Sequence, residues 1–272
     1  MKKLLSIIVL CLGCLSGFQA QNYWEFIDYS STLLGVSPEG SLFFNEGSNG
    51  ISRMQTVNGP CTIVIGPETG FNYLFNSHCF SVSPEGRIFL FNNTLNAVMY
   101  SDDNGDTWQQ MPQVSSCATT DVLGLYAPSN ETVVGWTSSQ EIFWTTDNGD
   151  SWDVVIPVIM TAYNAPDMND ILVNENGDVF VGMKNNDGGG IWQMAFSDMQ
   201  NGHYVDLSNS SIFDIAFDPD GDVVACGYNA DGSSVGFQHI PGFYLFDGTS
   251  LAVSNSGVVY KPSFSGYSAV LS

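Results

Sequence analysis

Ser101-Asp102-Asp103-Asn104-Gly105-Asp106-Thr107-Trp108 and, 44 positions later, Thr145-Thr146-Asp147-Asn148-Gly149-Asp150-Ser151-Trp152 are two copies of one phrase. Each follows a short run of strand-forming residues, Ala97-Val98-Met99-Tyr100 in one case and Glu141-Ile142-Phe143-Trp144 in the other. Asx and glycine residues at this density mark a turn. Asp103 and Asp147 are placed to accept hydrogen bonds from turn amides, as Asx side chains do. Gly105 and Gly149 supply positive φ where a side chain would clash. Thr107 and Ser151 offer a hydroxyl to the same turn, and Trp108 and Trp152 close the two phrases. Ser101 and Thr145 open the two phrases. Both read as a folding device, not as an active site.

Outward from this pair, a second phrase recurs along the chain. It is clearest in Val36-Ser37-Pro38-Glu39-Gly40 and Val82-Ser83-Pro84-Glu85-Gly86, followed within five residues by three and by four apolar or aromatic residues. Looser copies turn at Asn130, Gly177, Gly221 and Gly257, giving spacings of 46, 44, 47, 44 and 36 residues. A Pro/Asn/Asp/Gly turn followed by β-branched and aromatic residues predicts turn then strand. A second strand is expected about ten residues later, at Gly50–Met54, Ala97–Tyr100, Glu141–Trp144 and Gly190–Met194. Helical periodicity is hard to find. The chain is all-β, and a repeat of this length is that of a propeller blade.

The S-x-D-x-G-x-T-W pattern of residues 101–108 and 145–152 resembles the Asp-box, or bacterial neuraminidase repeat, of sialidase-like β-propellers. The resemblance implies a single six-bladed propeller over residues 21–272, with four-stranded antiparallel blades and the box between a blade's third and fourth strands. The last blade reads as incomplete. Closure by the N-terminal segment Asn22–Ile27, with Trp24 in place of a box tryptophan, is the favoured expectation. It would remove open sheet edges. The competing expectation is a gene that continues past Ser272.

Residues 1–20 read as a secretory signal: Lys2 and Lys3, then the apolar stretch Leu4–Leu15, then a small-residue site at Ala20. The whole chain carries 28 acidic and 6 basic residues, a formal charge of −22. Such a balance argues against nucleic acid and anionic membranes, where basic patches supply the affinity. No later apolar run is long enough to span a bilayer. The expectation is a secreted, extracellular or surface-exposed monomer. Cys61, Cys79, Cys117 and Cys226 allow three pairings, and no CxxC spacing suggests zinc. His78, His203 and His239 read as ordinary surface or core residues.

The resemblance raises sialidase activity first. That family grips a carboxylate with three arginines, as planar bidentate donors can. Beyond residue 20 this chain has only Arg53 and Arg87, so sialidase activity is rejected. The arginine-dependent photosystem assembly propellers fail on the same count. A glycoside hydrolase needs only two carboxylates, and the sequence does not say which two. Calcium is the one cofactor left open, at Asp102, Asp103 and Asp106 or at Asp218, Asp220 and Asp222. Neither trio fits the twelve-residue loop with an acid at each end, so solvated turn acids are the leading reading and no other cofactor is expected. Trp136, Trp144, Trp192, Tyr23, Tyr163 and Tyr244 are candidate sugar-stacking rings, with burial to decide. The leading expectation is a non-catalytic module binding a glycan or protein at one face. The alternatives are a glycoside hydrolase with a carboxylate pair in the propeller cavity, or a spacer of a larger surface protein.

Overall fold

A computed structural model describes residues 31–57, 59–69, 71, 77–112, 122–158, 160, 167–184, 190–206, 210–217, 223–229 and 234–235. The expected signal, the closing strand at 22–27, the turn at 257 and the chain end lie outside the described residues. So do Asp218, Asp220, Asp222, Tyr23, Tyr163, Tyr244, Cys117 and His239.

The described strands form five antiparallel sheets, one after another in the chain. The first holds β1 (Thr32–Val36), β2 (Leu42–Asn45), β3 (Ile51–Met54) and β4 (Cys61–Ile65). The second holds β5 (Phe80–Val82), β6 (Ile88–Asn92), β7 (Ala97–Ser101) and β8 (Gln109–Gln110). The third holds β9 (Val122–Tyr126), β10 (Val133–Thr137), β11 (Ile142–Thr145) and β12 (Asp153–Val155). The fourth holds β13 (Asp167–Val173), β14 (Asp178–Lys184), β15 (Gly190–Ala195) and β16 (Asp198–Asp206). The fifth shows β17 (Ser210–Phe217), β18 (Val223–Asn229) and β19 (Ser234–Val235).

The repeated turn phrase joins first strand to second, as expected. Gly40, Gly86 and Gly177 sit there at φ of 85°, 99° and 80°, a backbone region that side chains rarely adopt. In the third sheet the phrase is degenerate, and Ser129 does the work instead by accepting from the Thr132 N–H (3.1 Å).

Burial changes from strand to strand within each sheet. The second strands are almost wholly buried, with Leu42–Phe44, Ile88–Asn92, Val133–Thr137 and Val179–Met183 all enclosed. Their residues are apolar on both faces, as a strand enclosed on both faces requires. Fourth strands are far more exposed, β8 entirely so. Each buried Phe or Ile contributes about 1.5–3 kcal/mol, so the intersheet layers around Phe43, Phe89, Trp136 and Val181 carry most of the stability. First strands pack side by side in order, β1 on β5, β5 on β9, β9 on β13 and β13 on β17. Four of them are bulged, at Leu34, Leu123, Asn169 and Phe213. A bulge re-aims the residue that follows it.

Candidate functional site

The two phrases that open the sequence form matching loops between third and fourth strands. The Ser101 hydroxyl donates to Asp103 Oδ1 (2.8 Å) and accepts from the Gly105 N–H (2.8 Å). Asp103 accepts in turn from the Thr107 N–H (2.7 Å) and hydroxyl (2.6 Å). Thr145, Asp147, Gly149 and Ser151 repeat the set, at 2.8, 2.9, 2.9 and 2.5 Å. The Thr107 hydroxyl holds the Asp103 carboxyl below the usual carboxylate range, and the Ser151 hydroxyl does the same for Asp147. Trp108 donates its indole N–H to Val64 O (3.1 Å) and Trp152 to Pro112 O (3.0 Å), each in the preceding sheet or just after its last strand. All ten residues are therefore occupied in local or intersheet bonds.

Beside the first loop lies a polar groove of about 420 Å3. Arg53 crosses from β3 to Asp106 (2.8 Å), and Arg87 grips Asp102 through Nε (2.6 Å) and Nη2 (3.1 Å). Arg87 also donates to Asn130 O (2.7 Å) and to Asn148 Oδ1 in the next loop. Both arginines are thus committed to joining sheets. Asp102, Asp103 and Asp106 each face a different partner. Among the described residues no group of three or more His, Cys, Asp or Glu is placed to hold a metal ion.

A second cavity, of about 450 Å3, is lined by the first strands of all five sheets. Its walls are largely apolar, with Leu33, Phe80, Val82, Leu125 and Leu172, but it encloses two acids, Asp170 of β13 and Asp214 of β17. The two carboxyl groups are close enough to act on each other. Asp170 also accepts from the N–H of Ile171 (2.8 Å) and of Ile215 in the neighbouring sheet (3.0 Å). Burial, then the Asp214 charge, push the Asp170 carboxyl well above its usual range, against these two amides. Tyr126 of β9 lines the same cavity, its phenol pushed up to about 12 by burial and by Asp170. His78, in the turn before β5, donates Nδ1–H to Asn169 O (3.0 Å), and Asn169 Nδ2 donates to Ile212 O (2.6 Å). A polar belt therefore runs from the second sheet to the fifth around an apolar hollow.

No protein-family model matches the chain, and no curated protein matches it. Solved structures do. The chain is similar to YCF48 bound to a D1 peptide, at 13% identity and a TM-score of 0.51 over 76% of this chain and 65% of that one. It is similar to a GH74 enzyme from Niastella koreensis, at 14% and 0.52, over 75% of this chain and 34% of that one. It is also similar to the GH74 xyloglucanase from Xanthomonas campestris, at 12% and 0.54, over 85% of this chain and 41% of that one. The fold is a β-propeller. Each described sheet is a blade, and the first strands that line the 450 Å3 cavity are the inner strands of the propeller. The chain spans less than two thirds of each of these three structures.

The sequence reading did not single out the residues of the cavity. Asp170 and Asp214 were two acids among 28. A signal was nonetheless available: they lie 44 residues apart, one blade period, in the otherwise apolar runs Ile171-Leu172-Val173 and Ile215-Ala216-Phe217. His78 bonds to Asn169 of the fourth sheet, a partner 91 residues away. Of the candidate sugar-stacking rings, Trp136 is fully buried and Trp144 and Trp192 are half-buried. None of the three lines the cavity.

Proposed function

We propose that this chain is a secreted, non-catalytic Asp-box propeller of the sialidase-like kind that binds a glycan or extracellular protein segment in the cavity of its inner strands. The observation that carries the reading is the cavity itself: about 450 Å3 of largely apolar wall with an acid pair, a phenol and an imidazole turned into it. A concave, mostly apolar pocket with a few convergent polar groups is the usual form of a ligand site. The loop hydrogen bonds at 101–108 and 145–152 support the Asp-box reading of those residues as structural.

Binding is favoured over glycoside hydrolysis by the spacing of the acids. Retaining and inverting glycosidases hold their carboxyl groups about 5–5.5 Å or about 6.5–9.5 Å apart, leaving room for a sugar or a water. Asp170 and Asp214 instead act directly on each other, the Asp214 charge raising the Asp170 carboxyl, as a close-set pair does and not as two acids that straddle a sugar. The test is a panel of glycans and extracellular proteins screened against the purified chain and against a Leu172→Trp variant that fills the cavity. Binding to the native chain, lost in the variant, is expected. Binding that survives the filled cavity moves the site elsewhere, and release of reducing sugar overturns the non-catalytic reading.

A further inference from the structure

The two gaps on either side of the second blade are closed by different side chains. Asn104 and Asn148 hold the same place in their loops, at φ of 57° and 60°. Between the second and third blades, Arg87 donates from Nη1 to Asn148 Oδ1. Between the first and second, Ser41 stands where Arg87 does, directly after the turn glycine. Its hydroxyl accepts from Asn104 Nδ2 (2.8 Å), while Asn104 Oδ1 is buried with no hydrogen-bond partner.

The arginine of this first gap comes from another strand. Arg53 lies opposite Phe43 in its ladder, the place that Tyr100 takes opposite Phe89 in the next blade. From there it reaches Asn104 O through Nη1 and Asp106 through Nη2 (2.8 Å), not the Asn104 amide. Arg53 is 8% exposed, and its Nε is buried without a hydrogen-bond partner too. Both residues line the polar groove beside the first loop. Buried polar atoms in folded proteins are almost always hydrogen-bonded, so an open donor and an open acceptor here call for an occupant. The Asp106 carboxylate that pairs with Arg53 is 64% exposed, so it can turn outward as a ligand enters.

The two open atoms select the chemistry of that ligand. A cation offers nothing to the Arg53 N–H, and an anion offers nothing to Asn104 Oδ1. Hydroxyl groups both donate and accept, and so serve the two together. The rest of the lining agrees. Glu39 and Glu85, the same position of the turn phrase in successive blades, add exposed carboxylates that accept from further hydroxyls. A formal charge of −22 repels an anionic ligand. At about 420 Å3 the groove falls in the size range of small-molecule sites. We propose that this groove is a second binding site, which takes a neutral sugar residue of a glycan whose hydroxyls meet Arg53 Nε and Asn104 Oδ1. It shares no lining residue with the inner-strand cavity and stands independently of it.

The experiment is a titration of the isotope-labelled chain, followed by NMR at the arginine Nε–H groups. Arg53 and Arg87 are the only arginines of the chain, so two signals carry the readout. The probes are cellotetraose, xylotetraose and mannotetraose, with tetragalacturonate as the acidic control. Expected is a saturable shift of the Arg53 signal with at least one neutral probe, larger than the shift of Arg87. Tetragalacturonate should bind at least tenfold more weakly. Asn104→Gly suits the positive φ and removes only the side chain, and should weaken binding at least tenfold, the worth of one hydrogen bond. Ser41→Arg puts into this gap the residue that fills the next one, and should weaken binding as much. Thermal midpoints show whether both variants fold. Glu175→Gln, an exposed acid in the β13–β14 turn, should bind as the native chain does. The absence of a saturable shift with every neutral probe overturns the proposal and leaves a groove filled by water alone. Equal binding of the acidic probe overturns it, as does binding that Asn104→Gly and Ser41→Arg both retain. Binding lost in Leu172→Trp but kept in Asn104→Gly belongs to the inner cavity, and the groove is then no site. If neither variant folds, the Arg53 signal of the native chain decides by itself.

Discussion

Trp108 donates its indole N–H to the carbonyl of Val64, 3.1 Å away and 44 residues earlier in the chain. One bond thereby fastens the loop of the second blade to the outer strand of the first. Trp108→Phe keeps a ring in the intersheet layer and removes only this bond. A loss of about 1 kcal/mol is expected, the net worth of an ordinary hydrogen bond. Trp108→Ala should cost clearly more, because it removes the ring as well. Chemical denaturation midpoints of the two variants check both values.

Arg87 makes bonds that lysine cannot reproduce. Its guanidinium serves Asp102 through two nitrogens and Asn130 and Asn148 through a third. It also lies over the Tyr100 ring, 4.5 Å from the centroid. Lysine has one compact head and cannot span these partners at once. Arg87→Lys should therefore destabilise by about 1–3 kcal/mol, close to the loss in Arg87→Ala. A lysine variant as stable as the native chain would show that the fork geometry contributes little.

Gly124 and Gly135 are small because rings press on them. A Cβ built on Gly124 would lie 2.1 Å from the Trp136 ring, and one on Gly135 2.1 Å from the Phe143 ring. Neither ring has open space to retreat into, since both are fully buried. Gly124→Ala and Gly135→Ala should each cost about 1–3 kcal/mol through overpacking. Gly40→Ala is a control of another kind. A Cβ there meets nothing within 4 Å, but φ is 85°, so its cost is backbone strain alone.

Stability should depend on pH in two opposite ways. Asp170 is raised in the folded chain, so the fold binds its proton more tightly than the unfolded chain does. That contribution is greatest at low pH and is lost as pH rises from the ordinary value of 3.8 through the folded one. Asp103 and Asp147 are lowered, so their contribution is present above 3.8 and lost as pH falls below it. Asp170→Asn should flatten the first slope, leave the second, and raise the thermal midpoint at neutral pH. A variant whose midpoint falls in parallel with the native chain above pH 5 would locate the strain elsewhere.

The parts legible in the sequence are those set by neighbours along the chain. Asp103 with Thr107, Ser101 with Gly105, and the turns at Gly40, Gly86 and Gly177 involve residues no more than four apart, so spacing alone exposes them. The second strands were legible because enclosure on both faces demands unbroken apolar runs such as Ile88–Phe91. The cavity was not. Asp170 and Asp214 meet only because the inner strands of two blades lie side by side and each strand is bulged just before its acid. His78 reaches Asn169 over 91 residues. Such meetings depend on how sheets stack, which no local spacing encodes.

The loop bonds also set an order in time. Val64 and Ser41 in the first blade find their partners only when Trp108 and Asn104 of the second arrive. Pro112 waits likewise for Trp152, and Arg87 for Asn148. On a ribosome, each blade is therefore finished by the one synthesised after it, and the ordered structure trails the growing chain by about one repeat.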